Sequence, residues 1–238
     1  MTRKKASDTG TMRLLISVGP TREPIDPVRF ISNESTGYMG SRLAAEALAR
    51  GHRVTVVSGP IAEPLPPRAR VVAVRDARGM ETAMRRHASR ADAVIMAAAV
   101  SDFRPVRARA SKLRRRARAI LRLAATPDIL ARLPRRRNQL RIGFALEGGR
   151  VVPAAARKLR AKRLDLVVAE QLGGTGSPFG RRPVQAWLLA RRRRVDGSPP
   201  RAGQIVQRLG RVPKSEVARV LLDKIEELWY GQRRPTAG

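Results

Sequence analysis

The chain has 238 residues, 42% hydrophobic and only 3% aromatic, enough for one large core of Ala, Val, Leu and Ile. No stretch approaches the roughly 18 apolar residues of a membrane span, and the lack of cysteine excludes disulfides, a thiolate metal site and a cysteine nucleophile, and fits a reducing cytoplasm. A net charge of +31 suits a polyanionic partner, but the basic runs Arg114–Arg116, Arg135–Arg137 and Arg191–Arg194 are scattered and aromatics for base stacking are few. Lys supplies only seven of the 50 basic residues, so an Arg-biased solvated surface outweighs dedicated nucleic-acid binding.

Residues 1–11 are basic and lack the apolar core of a secretory signal. They read as a disordered tail, as do residues 231–238, around a single domain at 12–230. Arg13–Val18 is a first strand. The loop after it, GPTREPIDPVRFISNESTGYMG, far exceeds the roughly two to six residues of a strand-to-helix connection, and loops of such length are commonly functional. Tyr38–Arg50 is a helix with Met39, Leu43, Ala44, Ala47 and Leu48 on one face and Gly51 as its stop. His52–Ser58 and Arg70–Val74 are strands, Gly79–Ala91 a helix, and Ala93–Val100 a strand buried on both faces. Then come a short strand Ile120–Ala124, a short helix Pro127–Leu133 opened by proline, a strand Leu140–Leu146, a helix Pro153–Leu164 and a strand Asp165–Ala169. Val184–Ala190 and Gln204–Leu209 read as edge strands about a turn at 195–197, and Lys214–Trp229 as a terminal helix. The alternation predicts an α/β fold: a Rossmann-like, parallel-rich sheet with helices on both faces and a flap or insertion after the fourth strand.

Ligands of open α/β sheets bind beyond the carboxyl ends of the strands. Four segments converge there: the opening loop, SDFRP (Ser101–Pro105), ATPD (Ala125–Asp128) and FALEGG (Phe144–Gly149). Asn33, Ser35, Thr36, Gly37 and Gly40 stand at the start of the first helix, where amides and hydroxyls bind phosphate or carboxylate or simply cap the helix. Asp102, at a strand end, is a ligand contact or a turn residue. Lys112, in ARASKLRRR, offers a compact charge to a phosphate or is merely solvated. Lys158 and Lys162 share a helical face and point together at a polyphosphate or at solvent. His52 and His87 form no triad pattern, and no metal-ligand cluster is visible. The residues alone stop at a domain for an anionic, phosphorylated ligand.

Together these motifs resemble phosphopantothenoylcysteine synthetase, the ligase half of the bifunctional coenzyme A biosynthesis protein. GPTREPIDPVRFISN followed by STGYMG, then AAAVSDFRP, SKLRR, TPDIL, GFALE, ARKLRAKRLD and PKSEVA occur in the family's order, over roughly residues 12–229. The resemblance implies a two-step ligation. CTP, or ATP, with Mg²⁺ activates the carboxylate of 4′-phosphopantothenate as an acyl-nucleotide, and the amine of cysteine then displaces the nucleotide. It implies that Asn33 holds the acyl-nucleotide and, with Ala98, Ala99 and Asp102, the pantothenate portion. It assigns the nucleotide to Ser35, Gly37, Met96, Ala97, Ala98, Asp102, Ala124, Ala125, Thr126, Pro127, Phe144, Lys158 and Lys162. Lys112, on a flap, would offset charge as pyrophosphate leaves. A homodimer is implied. The flavin-dependent decarboxylase half is absent, so a separate decarboxylase is expected to supply the pathway. Two departures stand out: Tyr38 and Glu170, where the family has Lys and Asn. They leave open a nucleotide-binding pseudoenzyme, and the charge leaves open a nucleic-acid-binding protein.

Overall fold

The computed structural model describes residues 10–115, 118–173, 178–191 and 204–232. Its first half runs β1 (Arg13–Val18), β2 (Arg22–Pro24), β3 (Phe30–Ser32), α1 (Tyr38–Ala49), β4 (Arg53–Ser58), β5 (Arg70–Ala73), α2 (Ala77–Ala88) and β6 (Ala93–Met96). The second half runs β7 (Phe103–Pro105), β8 (Leu123–Ala125), α3 (Ile129–Arg132), β9 (Leu140–Glu147), α4 (Val151–Ala161), β10 (Leu166–Gln171), β11 (Val184–Ala190), β12 (Gln204–Val212) and α5 (Lys214–Gly231). Of the tails expected at 1–11 and 231–238, residues 1–9 and 233–238 lie outside the described residues, as does the turn at 195–197, while Gly231 ends α5. Gly10 is tied down, its carbonyl accepting from the Tyr230 hydroxyl at 3.0 Å.

Eight strands form one sheet in the order β12-β11-β10-β9-β6-β1-β4-β5. The six from β10 to β5 are parallel, and β11 and β12 are appended antiparallel. This is the doubly wound order, which reverses between β1 and β6. Strand alternation divides the core. Leu14, Ile16 and Val18 face α1 and α5, while Leu15, Val94 and Val167 face α2, α3 and α4. Among the described residues no helix is long and apolar enough to cross a membrane.

Several boundaries differ from the sequence expectation. The long opening loop contains a hairpin, β2 paired with β3. The run Ala93–Val100 is a strand only to Met96. Beyond it the Ala98 amide turns to Ser17 Oγ, which interrupts the ladder, and Ala99 resumes the β1 register only as a single parallel bridge to Pro20, its amide donating to the Gly19 carbonyl. The strand expected at Ile120–Ala124 forms at Leu123–Ala125 and pairs with β7 outside the main sheet, leaving Ile120 93% exposed. The α2 helix begins at Ala77 because Asp76 caps it, accepting from the Gly79 amide at 2.8 Å. Finally, β11 is not an edge strand. It lies between β10 and β12, and its Val184, Ala186 and Leu188 enter the core under α5.

Gly40 lets α1 settle on β1, since a Cβ there would lie 2.5 Å from Val18 Cγ2. Gly37, with φ of 84°, provides the left-handed residue that opens α1.

Candidate active site

A cleft of about 470 Å³ opens beyond the carboxyl ends of β1, β6, β9 and β10, at the point where the sheet order reverses. Its central strip is the irregular segment 97–102. Four bonds fix that strip, one to β1 and three to the opening loop. Ala98 and Ala99 bond as described above. Ser101 N donates to Thr21 Oγ1 at 3.0 Å, and Asn33 Nδ2 donates to the Ala99 carbonyl at 2.9 Å. On its other side, Thr126 N donates to the Asp102 carbonyl at 2.9 Å and Thr126 Oγ1 donates to that of Ser101. The strip is thus preorganised with side chains of little bulk, as close approach of a ligand requires.

The strands divide the cleft into two walls. On the α3–α4 side, Lys158 Nζ donates to the Phe144 carbonyl. Burial, then Lys162, pushes the Lys158 ammonium below the ordinary lysine value. Lys162 Nζ sits 2.8 Å from Asp128 Oδ2. Burial alone would raise the Asp128 carboxyl, but Lys162 and the Ala131 amide hold it low. The two ammonium groups, set near Asp128 and Asp102, are the cations this wall can present to a polyphosphate.

On the α1–α5 side stand Ser35, Thr36, Tyr38, Met39, Glu170 and Lys214. Glu170 and Lys214 are 9% and 4% exposed. Burial pushes the Glu170 carboxyl up against the influence of Lys214, and pushes the Lys214 ammonium down. Lys214 Nζ donates to the Pro178 carbonyl at 3.0 Å. At Tyr38 the guanidiniums of Arg42 and Arg181 lie 5.3 and 5.7 Å from the ring centroid. Cations therefore surround that corner, held on an aromatic face.

The structure brings Asn33, Ser35, Met96, Ala97, Ala98, Ala99, Asp102, Thr126, Pro127, Phe144, Lys158 and Lys162 to this one cleft. Four expected residues do not line it. Gly37 is buried beneath Ile61. Ala124 and Ala125 pair with β7. Lys112 is exposed on the flap, whose next residue, Leu113, bonds to Asp26. Asp26, Asp128 and Lys214 were not singled out from sequence, although each sits inside a quoted motif. The signal was present, but nothing in the pattern said which residue of a motif turns inward.

The model of the DNA/pantothenate metabolism flavoprotein C-terminal domain family matches residues 10–228. The chain belongs to that family. It is 40% identical over 170 residues to the coenzyme A biosynthesis bifunctional protein CoaBC of Bacillus subtilis, covering 70% of this chain and 42% of that protein. It is 39% identical over 188 residues to a prokaryotic protein named cysteine/cysteine sulfinic acid decarboxylase, covering 77% of this chain and 52% of that one. The chain thus spans about half the length of these relatives. Among solved structures, the C-terminal domain of a CoaBC protein superposes with a TM-score of 0.71 at 34% identity, covering 93% of this chain and 98% of that domain. A Cab2 mutant in complex with phosphopantothenate-cysteine shares the fold, with a TM-score of 0.67 at 17% identity over 93% of this chain and 88% of that one.

Proposed function

We propose that this chain is a phosphopantothenate–cysteine ligase of coenzyme A biosynthesis. It would use CTP or ATP to activate 4′-phosphopantothenate and pass the acyl group to the amine of cysteine. The observation that carries this reading is the convergence of six separated motifs on one cleft at the sheet's switch point. Similarity to CoaBC C-terminal domains over nearly the whole chain supports it.

In this mechanism the carboxylate of the acid attacks the α-phosphate of the nucleotide. An acyl–phosphate bond forms, and pyrophosphate leaves with the electron pair of the broken bond. The cysteine amine then attacks the acyl carbon, loses a proton and expels the nucleoside monophosphate. Lys158 and Lys162 would hold the phosphates, and Lys112 would reach them if the flap closes. Asn33 would orient the acyl group, its amide already aimed at the strip by its bond to Ala99. Such a protein works by positioning and charge neutralisation. The cleft carboxylates Asp102 and Asp128 are oxygen donors suited to Mg²⁺, and among the described residues no cluster of three metal-binding side chains occurs. The ion would therefore be held chiefly by the triphosphate, and when bound it neutralises phosphate charge.

A homodimer belongs to the same proposal. The β2–β3 and β7–β8 hairpins touch, and they expose Val28, Phe103, Val106 and Ile120 at 61, 55, 57 and 93%, an apolar surface that a second copy would cover. A separate flavin-dependent decarboxylase would act on the product. The second reading is a nucleotide-binding pseudoenzyme, favoured by one observation, the buried Glu170 in the cleft wall. Pyrophosphate release measured with 4′-phosphopantothenate, cysteine, Mg²⁺ and each nucleotide decides between them. Turnover with formation of the amide product supports the ligase, and binding without turnover supports the pseudoenzyme.

A further inference from the structure

At the opposite end of the sheet from the cleft, the amino ends of the strands enclose a second hollow of about 410 Å³. We propose that this hollow is an anion site for a small oligophosphate, distinct from the cleft.

Adjacent parallel strands create it. Arg13 opens β1, Arg53 opens β4 directly opposite it in register, and Arg70 opens β5. Arg68 and Arg90 complete the rim, and among the described residues no Asp or Glu lines the hollow. Arg13 is partnered by Asp92 at 3.3 Å. Among the described residues none of Arg53, Arg68, Arg70 and Arg90 is in an ion pair. Like charges side by side on neighbouring strands repel, and a polyanion would remove that repulsion while each guanidinium offers a planar fork to phosphate oxygens. The nearby carboxyl end of α2 favours cations, which accounts for Arg85 and Arg86. It does not account for Arg53 and Arg70, which begin strands.

The field is felt locally. Burial, then Arg70, Arg86 and Arg90, holds the His87 imidazole below its ordinary value. His87 lines the hollow together with His52, whose Nε2 lies 2.8 Å from Glu226. The hollow is concave, of a volume within the roughly 300–1,000 Å³ of small-ligand sites, and its lining includes no Phe, Tyr or Trp for base stacking. These features favour a compact oligophosphate over an extended single strand of nucleic acid.

Inorganic tripolyphosphate, titrated calorimetrically into the full chain, is the probe. Two saturable events are expected in the wild type. Arg53→Ser combined with Arg70→Ser should weaken one of them by roughly tenfold or more, leaving the melting curve and basal pyrophosphate release unchanged. Lys158→Gln should weaken only the other. The proposal fails if the double variant keeps both events at full strength. It fails equally if the only saturable event depends on Lys158. It fails too if a single-stranded oligonucleotide binds the Arg53-dependent site more than about tenfold tighter than tripolyphosphate, since the arginines would then belong to a nucleic-acid track. Absence of pyrophosphate release from the wild type, with the Arg53-dependent event intact, would overturn the ligase assignment and leave this site standing.

Discussion

The amide of Leu113 donates to Asp26 Oδ2 at 3.0 Å, joining segments 87 residues apart. The other oxygen of the same carboxylate accepts from the amides of Val28 and Arg29 at 2.9 and 2.8 Å. The Arg29 guanidinium both binds Asp26 and reaches the Leu113 carbonyl at 2.9 Å. One buried carboxylate therefore shapes the opening loop and pins the flap that carries Lys112. Asp26→Ala should release the flap. We expect faster proteolysis within residues 106–122 and a fall in turnover of roughly tenfold or more, the scale of a lost hydrogen bond to a charged group.

The same carboxylate sets an acid limit. The Arg29 side chain, then the Leu113 amide, holds Asp26 well below the usual carboxylate range. Its stabilisation is therefore complete above the unfolded value of about 3.9 and disappears as pH falls through the lower folded value. The melting-temperature gap between wild type and Asp26→Asn should be constant above about pH 5 and close below about pH 4. A gap unchanged in acid would show that Asp26 is not the titrating group.

Much of this arrangement was legible in the sequence. The apolar runs of β1, β4, β9 and β10 reveal buried parallel strands because both faces of the sheet are covered. The site motifs fall at strand ends because the doubly wound order puts them there. Three-residue strands such as β2 and β7 carry no period long enough to read. Ala97–Val100 is as apolar as a strand, but the Ala98 amide turns to the Ser17 hydroxyl and Ala99 keeps only a single bridge, to Pro20, a tertiary choice that composition does not encode. Asp26 looks like any turn aspartate until Leu113, far along the chain, supplies its fifth donor.

The helix α1 depends on contact with β1. Gly40→Ala would place a methyl group 2.5 Å from Val18 Cγ2, so the helix must shift. We expect a loss of about 1–3 kcal/mol, typical of overpacking, measured by urea denaturation. Val18→Ala should recover part of it in the double variant, and additive losses would show that the contact is not the cause.

Glu170 is costly where it lies. Burial raises its folded value, so the favourable, protonated form is fully present below the unfolded carboxylate value and is lost as pH rises through the folded one. Glu170→Gln should thus raise the melting temperature by a few degrees near pH 8 and by less near pH 5. Removing a negative charge from the cleft should also lower the KM for nucleotide. Equal stabilisation at both pH values would mean that Glu170 does not titrate in this range.

Association should map to the two hairpins. With Val106→Asp and Ile120→Asp together, light scattering should report the single-chain mass of 26.2 kDa, against twice that value for the wild type. Both side chains are exposed in the single chain, at 57 and 93%, so its fold should be unaffected. A wild type that is monomeric at high concentration would remove the homodimer from the proposal.

Lys158 gives the most direct test of the charged wall. Its Nζ is fixed by the Phe144 carbonyl, and burial, then Lys162, lowers its proton affinity. Lys158→Gln should keep the fold and lose roughly a hundredfold or more in kcat, the scale of removing one group aimed at developing charge. Because the free enzyme's ammonium deprotonates below the ordinary value of about 10.4, kcat/KM should decline on the alkaline side earlier than an exposed lysine would allow. Lys158→Arg keeps its charge throughout that range, so whatever activity it retains should lack the alkaline decline. If Lys158→Arg shows the same decline as wild type, the titrating group lies elsewhere and the polyphosphate role moves to Lys162.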